Sequence, residues 1–449
     1  MARSQLALSI GLSIFVALSG EAGAATCQSP ICIQSGNGHD PAMRLAQAAS
    51  PSLQANIDQW LAVSDRMRSS GALLPGRPMP DALTAARAAF ETSWRNAGLA
   101  DRQAVPHAPL GRALAALVRS YRFQEYGNPD PKLALYWADE MIKFYEQVAI
   151  RRELAEAMLE KAAIYLQVSQ LNHTDRNRFN QLSLEGDKLL QDCMAVAEDD
   201  QRVEVLRYWS RFYYNLARPP SGRLSDPWDD RFLQLADQRI DGALKREPDS
   251  LKNLNQKARV TQRRARATLD APSAFWAIQL SDVQNRLAEA WRKADSSINR
   301  PEDRLSPLNV LAMTTLDAVM YSILVSDDAS KTRLGPGWLK TIDEVGLPAQ
   351  LNAWAIVRNT ELARSYGFDT VYDLSRLYAL RAILSGLVNP GRQNEDIEKV
   401  ISFLHDAREL ATVPQLDAAK QSLAGDTVFV GLPDFARADL KRVLEGTTR

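Results

Sequence analysis

One short pattern recurs along this chain and constrains its fold more than any other feature. Trp137-Ala138-Asp139-Glu140-Met141-Ile142, Glu185-Gly186-Asp187-Lys188-Leu189-Leu190, Leu235-Ala236-Asp237-Gln238-Arg239-Ile240 and Lys293-Ala294-Asp295-Ser296-Ser297-Ile298 all read x-small-Asp-x-x-aliphatic. Their aspartates lie 48, 50 and 58 residues apart. Each segment follows another apolar-periodic stretch, at 112–126, 154–168, 203–217 and 251–267. A small residue lets a neighbouring helix approach closely, and the aliphatic residue four positions later shares its face. The unit is therefore helix A, loop, helix B. Neither helix hides its apolar stripe alone, so successive antiparallel pairs must stack, and the expected fold is all-α.

Strand signals are nearly absent; the exception is Thr427-Val428-Phe429-Val430, between Gly425 and Gly431. Helix starts are signalled where Asp130-Pro131, Asp226-Pro227 and Ser306-Pro307 place a capping side chain before a proline at the first helical position. The third unit is the most telling. Tyr208-Trp209-Ser210-Arg211-Phe212-Tyr213-Tyr214 lies in its helix A, and Ala243-Leu244-Lys245-Arg246-Glu247-Pro248-Asp249-Ser250 closes its helix B.

On these residues the chain resembles the tetratricopeptide-repeat superfamily from about 110 to 300, with a weaker echo at 372–414. The family repeat is about 34 residues. Here the loops at 170–178 and 218–228 are longer, and no unit holds an intact Trp-Leu-Gly-Tyr signature. The resemblance implies a divergent α-solenoid, a right-handed superhelix of stacked antiparallel helix pairs.

Further helices are expected at 308–325, 338–345, 351–366, 372–387 and 394–410, with Gly335-Pro336-Gly337 and Asn389-Pro390-Gly391 as tight breaks. The expected organisation is a signal peptide at 1–25, a flexible tether at 26–56, N-terminal helices at 57–109 and repeats at 110–300. A C-terminal helical half at 301–449 extends or caps the array.

Arg3, the uncharged apolar run Leu6 to Leu18 and the small residues Ala22-Gly23-Ala24 read as a secretory signal cleaved near Ala24, which directs the protein to the periplasm. The run is shorter than the roughly 20 residues a membrane span needs. The apolar stretch 308–325 is broken by Asn309, Thr314, Thr315 and Asp317, so no integral membrane segment is expected after cleavage. Ala24-Ala25-Thr26 before Cys27 is a poor lipidation signal, and in an oxidising compartment a Cys27–Cys32 disulfide is the better reading. Cys193 lies at helical spacing with Leu189, Leu190, Met194 and Ala197 and is expected to be a buried structural thiol.

Chemistry-bearing motifs are missing. The four histidines, His39, His107, His173 and His405, are far apart, with His107 placed in a loop between Pro106 and Pro109, so no metal or cofactor is expected. The sequence has no phosphate-binding loop, dinucleotide fingerprint or nucleophile elbow. Nor does it carry the Glu-Ser and Gly-Leu-Met-Gln elements of helical transglycosylases. Glu91, the nearest imitation, reads as a solvated helix residue. Asp226, Asp229 and Asp230 around Trp228 lack the order of a calcium loop and read as capping residues.

Lys+Arg 54 balances Asp+Glu 54, which argues against a nucleic-acid-coating protein. The strongest local charge is Lys257, Arg259, Arg263, Arg264 and Arg266, in which Arg259, Arg263 and Arg266 share one helix face. This is either a solvated face or a patch for an anionic partner. Tyr208, Trp209, Phe212 and Tyr213 form an aromatic stripe that either packs between repeats or lines a peptide-binding groove. Arg259, Arg263, Arg266, Tyr208 and Phe212 are thus the candidate partner-binding residues. The expected function is a non-enzymatic envelope adaptor that binds proteins or peptides. One alternative is a carbohydrate-active or cell-wall enzyme with a cryptic acid near Trp338, Trp354 and Tyr366; another is a chaperone-like, cargo-binding subunit.

Overall fold

The structure is a computed structural model. It describes residues 52–446 except 71–72, 74–77, 124–125, 127, 172–175, 220–226, 268–272, 299–300, 359, 361 and 424. The signal peptide, the tether up to Pro51, the Cys27–Cys32 pair, His39, His173 and Asp226 lie outside the described residues. Among those described there is no strand. The chain divides into two compact units, one running to Val205 and one from Leu206, with 173–176 grouped with the second.

The N-terminal unit contains α1 (Leu53–Ser69), α2 (Asp81–Asn96), α3 (Leu99–Ala104), α4 (His107–Arg122), α5 (Pro131–Val148), α6 (Arg151–Leu171) and α7 (Arg176–Val196). α8 (Asp199–Leu216) begins in it. Helices adjacent in sequence pack together: α1 on α2, α4 on α5 and α5 on α6. Their apolar stripes supply the enclosed Ile57, Trp60, Phe90, Trp94, Leu114, Trp137 and Phe144. The Trp60 indole, too large to bury unsatisfied, donates to the Ala113 carbonyl at 3.0 Å. α5 starts as expected, with the Asp130 carboxylate accepting from the Lys132 and Leu133 amides, both at 3.0 Å.

The C-terminal unit continues with α9 (Asp230–Arg246), α10 (Leu251–Arg266), α11 (Ala274–Ala294), α12 (Pro301–Leu324) and α13 (Asp328–Thr341). A π-helical turn, Ile342–Gly346, leads into α14 (Leu347–Arg358). α15 (Ala363–Val388), α16 (Pro390–Leu410), α17 (Val413–Leu423), α18 (Thr427–Val430) and α19 (Asp434–Glu445) complete it. Neighbours again pack in order, α9 on α10, α10 on α11, α11 on α12, and α15 on α16; α10 also reaches α12. The chain is an all-α array of sequentially packed helix pairs.

The recurring pattern acquires a physical role here. Ala138, Gly186 and Ala236 are buried on α5, α7 and α9, as close helix approach requires. The aspartate beside the small residue bridges to the next A helix: Lys161 Nζ of α6 lies 2.6 Å from Asp139, and Lys257 Nζ of α10 lies 2.8 Å from Asp237. The fourth match is coincidental, because Asp295 falls at the C-terminal cap of α11, past its packed face. The buried face of α11 is Ala277, Leu280, Gln284 and Leu287, which repeats Leu233, Ala236, Ile240 and Ala243 of α9 at an offset of 44.

Other expectations are corrected. Thr427–Val430 is a helical turn, not a strand, because Asp426 caps it by accepting from the Val428 amide at 3.0 Å, while Val428 and Phe429 are buried. Pro307 lies inside α12 and Pro336 inside α13, so neither Ser306-Pro307 nor Gly335-Pro336-Gly337 interrupts a helix. α9 starts at Asp230 behind Asp229, beyond Pro227. α1 starts at Leu53, within the stretch read as tether, and His107 opens α4 instead of lying in a loop. Glu91 is buried, not solvated: it accepts from the Tyr121 hydroxyl and lies 3.4 Å from Arg95, joining α2 to α4. Cys193 is buried, 3.5 Å from the Ala155 carbonyl, and burial lifts its thiol to about 12.

Despite Asn309, Thr314, Thr315 and Asp317, α12 is long and apolar enough over Asp303–Leu324 to cross a membrane by length and composition. Of that stretch 72 % is buried inside the protein, where Leu308, Leu316 and Tyr321 belong to the core of the C-terminal unit.

Candidate functional site

α10 is enclosed on nearly every side, so its polar residues must find partners on other helices. Lys257 and Arg264 reach Asp237 of α9 at 2.8 and 2.6 Å. Gln256 donates to Ser210 of α8 at 3.3 Å, and Asn255 donates to Ser306 of α12 at 3.2 Å. The charge run is therefore not a solvated face.

The three arginines singled out in the sequence have different surroundings. Arg266 is sequestered: its guanidinium grips Asp317 of α12 with bonds of 2.8–3.1 Å, and that carboxylate, 0 % exposed, also accepts from Gln262 at 3.1 Å. This bidentate pair is what a lone acid in an apolar helix requires. Arg259, half-buried, donates to the Ser306 hydroxyl at 3.0 Å. Arg263, 8 % exposed, donates to the Tyr214 hydroxyl at 3.4 Å and lies 4.7 Å from the centre of the Trp228 ring.

Arg263 and Arg259 of α10 and Tyr214 of α8 cluster with Arg218 and Trp228, which lie beyond the end of α8. Tyr214 and Trp228 are 5.2 Å apart, and Arg218 stands 6.0 Å from the Trp228 ring. Burial raises the Tyr214 phenol, but Arg263, Arg218 and Arg259 together outweigh it and hold its pKa below the ordinary tyrosine value. Desolvation lowers Arg259 and Arg263, and their like-charged neighbours add to it.

The aromatic candidates are placed apart from this cluster. Phe212 is 1 % exposed, inside the packing of α8. Trp209 and Tyr213 are buried beside it, with the Arg239 guanidinium 3.8 Å above the Trp209 ring. Tyr208 is half-buried and carries Arg207 and Arg211 over its ring, each at 5.5 Å.

A second polar cluster lies in the core around α15. Arg376 pairs with Asp426 at 2.8 Å and Asp373 at 3.4 Å, and all three are buried. Burial lifts Asp373 to about 6 against the pull of Arg376 and Arg266. One turn away, both carboxylate oxygens of Asp369 are buried without a hydrogen-bond partner among the described residues, and burial followed by the Asp373 charge pushes Asp369 to about 8. Trp338, Trp354 and Tyr366 pack against the same core. No group of three or more potential metal-ligating side chains occurs among the described residues.

The contributions of Arg218, Tyr214, Trp228 and Asp317 were missed from the sequence as parts of a site. Asp317 had a signal, a single acid inside an apolar run, and it pointed to a buried cation elsewhere. Arg218 and Trp228 meet Arg263 only through the tertiary fold.

No protein-family model matches the chain, and no curated protein matches it. Among solved structures it is similar to a circular tandem repeat protein with novel repeat topology and enhanced subunit contact surfaces, at 13 % identity. That match covers 90 % of this chain and 97 % of the other, with a TM-score of 0.30.

Proposed function

We propose that this protein is a non-enzymatic adaptor or scaffold of the cell envelope, exported by its N-terminal signal, which binds protein or peptide partners through the side chains its helix pairs present. The observation that carries this reading is the reuse of one helix-pair unit, with Asp139–Lys161 and Asp237–Lys257 tying two B helices, α5 and α9, to the A helices that follow them. Tandem units of this kind serve recognition by surface shape, with contacts spread along the helices. Exposed apolar side chains support it: Phe275 and Ile278, 59 % and 64 % exposed, stand one turn apart on α11. Export and divergence from the tetratricopeptide family belong to the same proposal.

The test is affinity capture of the mature protein from cross-linked native envelopes, read by mass spectrometry. A stoichiometric set of envelope proteins is expected, and it should shrink when Phe275 and Ile278 are both replaced by serine. Recovery of glycan fragments without protein partners overturns the reading.

One observation favours a second reading, a cell-wall enzyme: Asp369 is a buried acid with a raised pKa, three residues from Tyr366. A carboxyl held neutral near pH 7 is suited to donate a proton. The packing of Tyr366 and Trp354 against the core weighs against substrate access. Hydrolysis of purified peptidoglycan that disappears in Asp369→Asn establishes this alternative.

A further inference from the structure

We propose that the outer faces of α5 and α7, in the N-terminal unit, form a docking surface for an acidic peptide segment with apolar anchors. Leu133, Tyr136 and Leu184 hold it by packing, and Lys132 and Lys188 by charge. This surface rests on the scaffold reading and narrows the chemistry of its partner.

The helix-pair unit repeats on its exposed side as well as on its buried one. Tyr136 and Leu184 stand two residues before the small residues Ala138 and Gly186, and they are 45 % and 74 % exposed. At the offset of 44 that relates the buried faces of α9 and α11, the equivalent position of α11 is Ile278, also exposed. α9 carries Gln234 there, so three of these four B helices hold a large apolar side chain in water at one register. Packing of the array does not require this, because the buried stripe is on the opposite face. Within the N-terminal unit the two side chains lie on neighbouring helices at one level. Lys161 of α6 lies 2.6 Å from Asp139 of α5, and the Tyr165 hydroxyl, one turn further, donates to Glu185 of α7 while feeling the Asp139 charge. Asp139 is three residues past Tyr136, and Glu185 follows Leu184 directly. The Tyr136 ring is braced edge-on against the buried Trp137 at 5.4 Å, so the broadest anchor is held in place before a partner arrives.

Charge selects the partner. Lys132 is one turn from Tyr136 and Lys188 one turn from Leu184, each on the same helix face as its apolar neighbour. Both lysines are exposed, and neither pairs with a carboxylate among the described residues. The acids beside the apolar side chains are engaged: Asp139 by Lys161, Glu140 by Lys143 at 3.3 Å, and Glu185 by Tyr165 and Gln181. Asp192 lies two turns past Leu184, beyond the lysine. Apolar side chains flanked by unpaired lysines match a segment that carries apolar residues beside Asp or Glu. A lipid surface is the poorer match, since attachment to anionic headgroups takes clusters of roughly 4–8 basic residues.

The experiment selects a displayed library of short random peptides on the full mature chain. Enriched sequences should combine Leu, Ile, Phe or Trp with Asp or Glu, and bind with a Kd of about 10–100 μM by fluorescence anisotropy. Tyr136→Ser with Leu184→Ser should weaken that binding about 10-fold or more without shifting Tm, both positions being exposed. Leu184→Ser alone, at the most open position, is the second variant should the pair disturb folding, and it should also weaken binding. Lys132→Glu with Lys188→Glu should weaken the acidic peptides about 10-fold at low salt and strengthen versions with lysine in place of the acids. The absence of an acidic, apolar consensus overturns the proposal, as do affinities that the variants leave unchanged, or association with phosphatidylglycerol vesicles in place of peptides. The adaptor reading fails separately: peptide binding lost in the variants, with no envelope protein captured, refutes that reading alone. Envelope capture that both double variants retain refutes this surface alone.

Discussion

Asp369→Asn should stabilise the protein in alkaline solution and leave it nearly unchanged in acid. Both oxygens of Asp369 are buried without a partner among the described residues, and burial with the neighbouring Asp373 charge lifts the carboxyl from 3.8 to about 8. The folded state therefore retains a proton that the unfolded state has already released between these two values. Stability is fully present below pH 3.8, declines as pH rises toward 8, and then levels off. Each pH unit in that window costs about 1.4 kcal/mol, giving an upper figure of about 5 to 6 kcal/mol. Relaxation and water entry around a buried ion reduce this to about 2–5 kcal/mol. Asparagine is neutral throughout, and its unpaired amide resembles the unpaired protonated acid. The stability gain of the variant over the parent should be near zero at pH 4 and reach about 2–5 kcal/mol by pH 9. Guanidinium unfolding of the full chain at half-unit pH steps, followed by circular dichroism, measures it. Asp373 titrates in both proteins, so the comparison isolates Asp369 to first order. A difference independent of pH would refute the assignment of a protonated Asp369.

Arg266→Met should cost about 3–5 kcal/mol because it leaves Asp317, 0 % exposed, without its cation, whereas Lys161→Met breaks a half-exposed pair with Asp139 and should cost less than about 1 kcal/mol. Denaturant midpoints of the two variants test the ranking. Cys193, whose thiol burial holds at about 12, should resist an aromatic disulfide reagent in the native protein at pH 8 and react in guanidinium; rapid native labelling would contradict its enclosure. Ala236→Leu places a large side chain at a 0 % exposed helix contact and should cost about 1–3 kcal/mol by overpacking, so an unchanged Tm would remove the close-approach role of the small residue.

Local sequence was informative where one helix face decides the outcome. Asp130-Pro131 opens α5 because the carboxylate and the proline act within a single turn. Thr427–Val430 was misread for the converse reason: its β-branched residues favour a strand locally, but no strand exists for it to pair with among the described residues. Asp426 caps the turn while pairing with Arg376, 50 residues away. The arginine stripe of α10 was visible as a periodicity, but its direction was not. A charged face reads the same in sequence whether it meets water, as in a surface helix, or Asp317 and Trp228, which lie 51 and 35 residues from Arg266 and Arg263.

The repeat itself shows why the pattern was found and its period was not. In the bridged pairs Asp139–Lys161 and Asp237–Lys257 the partners are 22 and 20 residues apart. The link from a B helix to the next A helix is short, Ala149 and Ile150 after α5 and residues 247–250 after α9, so the ion pair can form at nearly constant spacing. The links from A to B vary more, from residues 172–175 after α6 to 217–229 after α8, and carry no bridge of this kind among the described residues. In these two units packing and charge thus fix one half and leave the other half free to change length. An array built this way keeps its aspartate pattern while its period drifts. The same logic explains the false fourth match: Asp295 has the right neighbours in sequence but sits past the packed face of α11, where it pairs with Arg304 near the start of α12, only nine residues on, instead of at the 20- to 22-residue spacing of the other bridges.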